Sequence, residues 1–156
     1  MIRMPSRTRL KKGAAITAIL ITTVGAFEGL RLAAYRDPVG IPTICFGETK
    51  GVRMGQKKTR AECDAMLLNS LIEHEQGMMR CLPAGLPDKV HGAMVSVTYN
   101  IGVGAFCKSS MSRLARAGDL RGACNALLKW DKAGGRRLPG LTRRRREERA
   151  MCLAGL

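Results

Sequence analysis

Aromatic residues are scarce in this 156-residue chain, at 4% in all, with one Trp, two Tyr and three Phe. A core must therefore be built mostly from Leu, Ile, Val, Ala and Met, and there is no aromatic set on which to stack single-stranded nucleic acid. Acids are scarce as well, 12 against 27 Lys and Arg, which leaves a net charge of +15. Such a field favours anionic partners: nucleic acid, anionic lipid, or a cell wall bearing phosphate and carboxylate. Charge alone does not choose among them. Histidine occurs only at His74 and His91, and the six cysteines (Cys45, Cys63, Cys81, Cys107, Cys124 and Cys152) include no C-x-x-C pair. Zinc-ribbon and haem-attachment spacings are thereby absent, and the two histidines make no metal-helix motif. Six widely spaced cysteines in a small chain point instead to an oxidising compartment and at least one disulfide, although the spacing selects no pairing.

There is no long hydrophobic run either. The charge-free stretch Gly13 to Phe27, GAAITAILITTVGAF, follows five basic residues (Arg3, Arg7, Arg9, Lys11 and Lys12) with no acid among them. As a helix it spans about 22 Å, short of a hydrocarbon core of about 30 Å. Its Gly, Ala and Thr content makes it only mildly apolar. Four readings are open: a cleaved signal peptide, a permanent anchor, a signal anchor that enters the membrane weakly and later leaves, and an ordinary buried helix. Cleavage after Ala26 would leave Glu28 at a frayed terminus. The composition favours the anchor that leaves, with the basic end cytoplasmic and everything after Phe27 outside. The chain then divides into a basic N-terminus with its releasable anchor, 1–27, and a folded domain, 28–156.

Downstream, Thr59 and Glu62 form a T-x-x-E capping box. The helix it opens runs to about Arg80, with Cys63, Leu67, Leu71 and Met78 on one stripe. A short hairpin is expected near 42–55, with Gly47 to Gly51 as its turn. Asp88 is placed to cap a helix ending near Asn100. A further helix near 109–117 stops at Gly118, and Asp119 caps one carrying Leu120, Ala123, Leu127 and Trp130 on one face. Gly134, Gly135, Pro139 and Gly140 mark a loop before a last helix with Arg143 to Arg149. The consecutive Arg143 to Arg146 advance about 100° each and cannot share a face; they read as a solvated basic surface, with attraction to the acidic wall or outer-membrane lipid as the functional alternative. The sum is an α+β, mostly α chain: a small hairpin lobe, a connecting helix and a helical C-terminal lobe.

Glu28, Asp37 and Thr43 stand at intervals of nine and six. Paired carboxyl groups flanking a bond are the minimum kit for glycoside hydrolysis, one carrying a proton and one handling water. Glu28, at the end of an apolar helix, is expected half-buried, a setting that favours the protonated form. Asp37 sits before Pro38 in an open loop, and Thr43 offers a hydroxyl able to hold water. The ordered run E-G-L-R-L-A-A-Y-R-D (Glu28 to Asp37), with Thr43 following, resembles the active-site segment of phage-type lysozymes, the family 24 glycoside hydrolases. TICFGET (Thr43 to Thr49) resembles that family's hairpin, which more often has His where Glu48 stands. YNIGVGAFCKSS (Tyr99 to Ser110) and W-x8-P-G (Trp130 to Gly140) are similar to its C-terminal lobe.

The resemblance implies a lysozyme-like two-lobed fold and an endolysin. It implies hydrolysis of the β-1,4 bond between N-acetylmuramic acid and N-acetylglucosamine, with Glu28 as general acid, Asp37 and Thr43 placing or activating water, inversion at the anomeric carbon, and no need of a metal or cofactor. Asn100 and Trp130 are candidates to line the sugar site, with core packing the stronger role for Trp130. The N-terminus resembles signal-arrest-release endolysins, which implies export to the inner membrane, later release to the periplasm, and a monomer acting on glycan strands. No cysteine lies in the anchor, so activation by refolding rather than thiol exchange is expected. Rival functions are a basic nucleic-acid-binding protein, a membrane-disrupting protein and a lytic transglycosylase. The first leaves the ordered Glu-Asp-Thr set unexplained, and no nucleic-acid partner is expected.

Overall fold

The computed structural model describes residues 8–156. Arg3 and Arg7 of the basic N-terminus lie outside the described residues. The chain divides into two compact units, one of Leu10–Ser70, the other of Leu71–Leu156 joined by the segment that ends at Arg9.

In the first unit the mildly apolar stretch folds as helix α1, Ala15–Glu28. Ile16, Leu20 and Val24, spaced four apart, form its buried stripe, while Ala18, Ile19, Thr22 and Ala26 are exposed. The helix stops at Gly29, whose φ of 77° suits a residue without a Cβ and whose N–H returns to the Gly25 carbonyl at 2.9 Å. Among the described residues no helix is long and apolar enough to cross a membrane.

Strand β1, Arg31–Arg36, pairs antiparallel with β2, Pro42–Cys45, in the register Arg31↔Cys45, Tyr35↔Thr43 and Arg36↔Pro42. Between Arg31 and Tyr35 the register slips by a bulge, and the bulged stretch pairs elsewhere: Ala34 N–H bonds Gln56 O and Lys58 N–H bonds Leu32 O. The hairpin thus lies at 31–45, earlier than the 42–55 expected. Its first strand is exposed over Arg31, Leu32 and Ala33, so apolar and polar positions do not alternate and the period-two signal is missing. The anticipated turn is present: Ile44 and Glu48 exchange both backbone hydrogen bonds at 2.9 Å.

Helix α2, Arg60–Met79, opens with the capping box formed in both directions, Thr59 N–H to Glu62 Oε1 and Glu62 N–H to Thr59 Oγ1, each at 3.1 Å. Cys63, Leu67, Leu71 and Met78 are all buried, as their spacing predicts. A Cys45–Cys63 disulfide fastens β2 to the first turn of α2, and Ser70 Oγ donates to Glu48 Oε1 at 3.0 Å.

The second unit is built on α3, Asp88–Ile101, in which residues 90–98 are all buried, packed against α7, Pro139–Ala154. Asp88 does not cap α3. It is the first helical residue, and its carboxylate pairs with Arg9 at 3.0 Å. Short helices α4 (Val103–Cys107), α5 (Ser110–Arg116) and α6 (Leu120–Ala126) follow, the last two capped by Ser109 and Asp119. Gly134 and Gly135, both at positive φ, close an unanticipated small hairpin between β3 (Lys132–Ala133) and β4 (Arg136–Arg137). Disulfides join Cys81 to Cys107 and Cys124 to Cys152, so all six cysteines are paired.

The solvated arginine face is not observed. Arg143 and Arg146 are exposed, but Arg144 and Arg145 are buried around Glu148. Arg145 Nη2 donates to Glu148 Oε1 at 2.7 Å, Arg144 Nε lies 3.4 Å from the same oxygen, and Ser96 Oγ donates to it at 3.2 Å. Desolvation pushes the Glu148 carboxyl above its ordinary range and the Arg145 guanidinium below its own.

Candidate active site

Glu28, Asp37 and Thr43 all belong to the first unit, and the β1–β2 turn joins the last two. Glu28 is the last residue of α1 and leads directly into β1. Asp37 occupies the β1–β2 turn. Its Oδ1 accepts the N–H groups of Val39 at 3.0 Å and Ile41 at 2.8 Å, while its own N–H bonds Ile41 O at 2.9 Å. Thr43 lies opposite Tyr35 on β2, buried, and its hydroxyl donates to Ile41 O at 2.9 Å. Asp37 and Thr43 are therefore bound through a single residue, one on the N–H and both on the carbonyl of Ile41. Both of these side-chain hydrogen bonds fall on Oδ1. Because the Thr43 hydroxyl proton is committed to Ile41, its oxygen is left to accept.

Glu28 departs from expectation in one respect: it is exposed, not half-buried, because Gly29 ends the helix immediately beyond it. What fixes its backbone lies one turn earlier. A Cβ placed on Gly25 would stand 3.0 Å from Phe46 Cε1, so the glycine lets the last turn of α1 settle against the Phe46 ring. Arg60 stacks over the same ring at 5.8 Å.

Asn100 and Trp130 belong to the second unit and share one neighbour. Arg145 Nη1 donates to Asn100 Oδ1 at 2.9 Å and lies 3.4 Å from Trp130 O. A guanidinium has only donors, so Asn100 must turn its oxygen inward and its NH2 outward. Asn100 is exposed and Trp130 half-buried, so the indole is not the core residue that its helix stripe favours. His74 packs on Tyr99 with ring centroids 5.1 Å apart. No cluster of His, Cys, Asp or Glu suited to a metal occurs among the described residues.

Sequence reasoning missed the pair Glu75 and His91, both buried, with Nε2 and Oε2 2.7 Å apart. They sit sixteen residues apart on different helices, and no local pattern links them.

An acid at a helix end, a hairpin presenting a second carboxyl group beside a threonine, and a helical unit built on a long central helix define the lysozyme class. A family model for phage lysozyme matches residues 25–148, and the chain belongs to that family. Among curated relatives, the SAR-endolysin of Bacteriophage PS119 is 39% identical over 145 residues, spanning 90% of this chain and 87% of the relative. Among solved structures, a mutant of P22 lysozyme superposes with a TM-score of 0.83 at 32% identity, covering 94% of this chain and 99% of the other. The P1 phage endolysin Lyz is known in two forms. The active form matches with a TM-score of 0.79 at 25% identity, over 96% of this chain and 97% of the other. The secreted inactive form reaches 0.55 at 23% identity, over 94% and 97%. The fold described here is thus nearer the active one. The chain is a phage endolysin, a peptidoglycan hydrolase.

Proposed function

We propose that the enzyme is a muramidase. It hydrolyses the β-1,4 bond between N-acetylmuramic acid and N-acetylglucosamine with inversion, Glu28 giving its proton to the leaving oxygen. The observation that carries this reading is the shared attachment of Asp37 and Thr43 to Ile41. It brings Asp37 and Thr43 to one residue, and we assign Asp37 Oδ2 and Thr43 Oγ1 as the two acceptors of the attacking water. A water donating one proton to each turns a lone pair outward, and as it attacks the anomeric carbon Asp37 takes the proton. Inversion calls for carboxyl groups roughly 6.5–9.5 Å apart, enough for that water. Asn100, its amide N–H groups turned outward by Arg145, is suited to an acetamido carbonyl or a sugar hydroxyl of the glycan.

The N-terminal segment gives the enzyme its route. Gly13 to Phe27 first tethers the chain in the inner membrane, then leaves it, and the released periplasmic enzyme, a monomer that takes no nucleic acid, uses the same residues as α1. In support, α1 has a buried stripe suited to a folded protein, and its last residue is Glu28. No metal or cofactor enters the scheme.

Turbidity loss of permeabilised Gram-negative cells tests the chemistry. Wild type lyses, while Glu28→Gln and Asp37→Asn each fall by at least about a hundredfold, the usual weight of one acid or base. A 1,6-anhydro product, or an Asp37→Asn variant of near-normal rate, overturns the hydrolytic reading in favour of a transglycosylase.

A further inference from the structure

Glu75 on α2 is fully buried, and a carboxylate withdrawn from water needs its lone pairs filled. His91 on α3 supplies one contact, to Oε2. Two further donors come from outside both helices. The Arg9 backbone N–H bonds Oε2 at 3.1 Å, and the Thr8 hydroxyl donates to Oε1. The Arg9 side chain continues the contact, Nη1 donating to Leu86 O and to Asp88 Oδ1 at 3.0 Å. Two residues of the N-terminal segment thus reach four acceptor atoms on the second unit.

The same residues immediately precede Gly13 to Phe27. While that stretch lies in a bilayer, its basic end is held on the cytoplasmic side and Glu75 is on the other, with about 30 Å of hydrocarbon between them. Thr8 and Arg9 cannot then touch Glu75. On this ground, which rests on the tether-and-release reading above, we propose that Glu75, His91, the Leu86 carbonyl and Asp88 form a docking socket for Thr8 and Arg9 that fills only when the anchor has left the membrane. With the socket unfilled, Glu75 lacks the Thr8 hydroxyl and the Arg9 N–H that it holds in the folded enzyme. Filling it after exit makes return to the bilayer costly and gives release a direction.

The test uses the full chain, exported in cells whose membrane potential is then dissipated, with soluble and membrane fractions weighed against each other. Thr8→Val with Arg9→Lys keeps every positive charge, so orientation in the membrane is retained, but removes the hydroxyl donor and the guanidinium fork. The soluble-to-membrane ratio is expected to fall about tenfold or more, the weight of hydrogen bonds to a buried charge. The released molecules should keep wild-type kcat/KM. Adding Thr8→Val alone to Glu75→Gln should lower the ratio by less than about twofold further, because both act on the Thr8–Glu75 contact. An unchanged ratio in Thr8→Val/Arg9→Lys, or full multiplication of the Thr8→Val and Glu75→Gln losses, overturns the socket while leaving tether and release intact. Since Thr8→Val/Arg9→Lys leaves the Glu75–His91 pair in place, it decides the matter even if Glu75→Gln folds poorly. Wild type that stays in the membrane after depolarisation, or appears shortened at its N-terminus, overturns tether and release themselves, and the socket with them.

Discussion

Leu20 and Ile19 are neighbours in α1 with opposite fates in the folded enzyme. Leu20 is completely buried, whereas Ile19 is 42% exposed. A bilayer makes no such distinction, since lipid surrounds the whole circumference of a tethered helix. Leu20→Ala should therefore cost the folded enzyme about 2–5 kcal/mol through lost packing and the cavity left behind. In the membrane it forfeits only about 0.3–0.6 kcal/mol of insertion free energy. The difference, about 1.5–4.5 kcal/mol, favours the bilayer, so the released fraction should fall by roughly tenfold to a thousandfold. Ile19→Ala makes the same loss in lipid but a surface-sized change in the fold, within about 0.5 kcal/mol. It should leave release unchanged or raise it by about twofold. The assay is fractionation of the full-length exported chain before and after depolarisation, with Tm of the soluble forms as a control. Equal shifts in one direction for both variants would refute the claim that one face of the anchor becomes core.

Further outcomes follow from the second unit and the caps. Glu148→Gln leaves Arg144 and Arg145 buried without a compensating charge and should cost about 3–5 kcal/mol in denaturant unfolding. Replacing Cys124 and Cys152 by Ser opens a link across 28 residues, worth about 3.5 kcal/mol and about 10 °C in Tm by calorimetry. Asn100→Asp keeps an acceptor for Arg145 but removes the outward donor, so Tm should hold while kcat/KM falls about tenfold; unchanged turnover removes Asn100 from the sugar site. The Thr59 cap holds the Glu62 carboxyl below its ordinary value of 4.5. Because the folded group binds its proton less tightly than the unfolded one, this stabilisation is present above that value and is lost as pH falls through the folded one. Denaturant midpoints of wild type and Glu62→Gln should therefore converge on acidification below about pH 5.

What the sequence makes legible is what local chemistry decides. Helix α2 declares itself because its capping box and its apolar stripe need only neighbours within a few turns. The Glu-Asp-Thr set is legible as an ordered motif, although the pairing that seats Asp37 on Ile41 is not. Strand β1 hides because its bulge trades one partner for another and leaves no alternation to detect. Arg145 was beyond reach for a different reason. A run of four arginines implies solvent unless a counter-charge is known, and the acid that admits Arg145 to the interior acts together with Ser96 on another helix. Glu75 fails the same way, its partners arriving from positions 8, 9 and 91.

The poor quality of Gly13 to Phe27 as an anchor has a cause in the fold. Gly25 weakens a helix by about 0.8–1 kcal/mol relative to Ala and adds little to a lipid-facing surface. Yet any side chain there would press on Phe46, whose ring supports the helix one turn before Glu28. Thr17 shows the same conflict. Its hydroxyl is poorly suited to lipid, but in the enzyme it accepts the Lys11 N–H at 3.0 Å and closes the turn that leads into α1. A segment of pure Leu would hold the membrane better and could neither approach Phe46 nor accept that N–H. On the proposed route, the residues that make the tether leak are the ones that seat the proton donor. Raising the segment's hydrophobicity at Gly25 or Thr17 should therefore damage the released enzyme as well as delay its release.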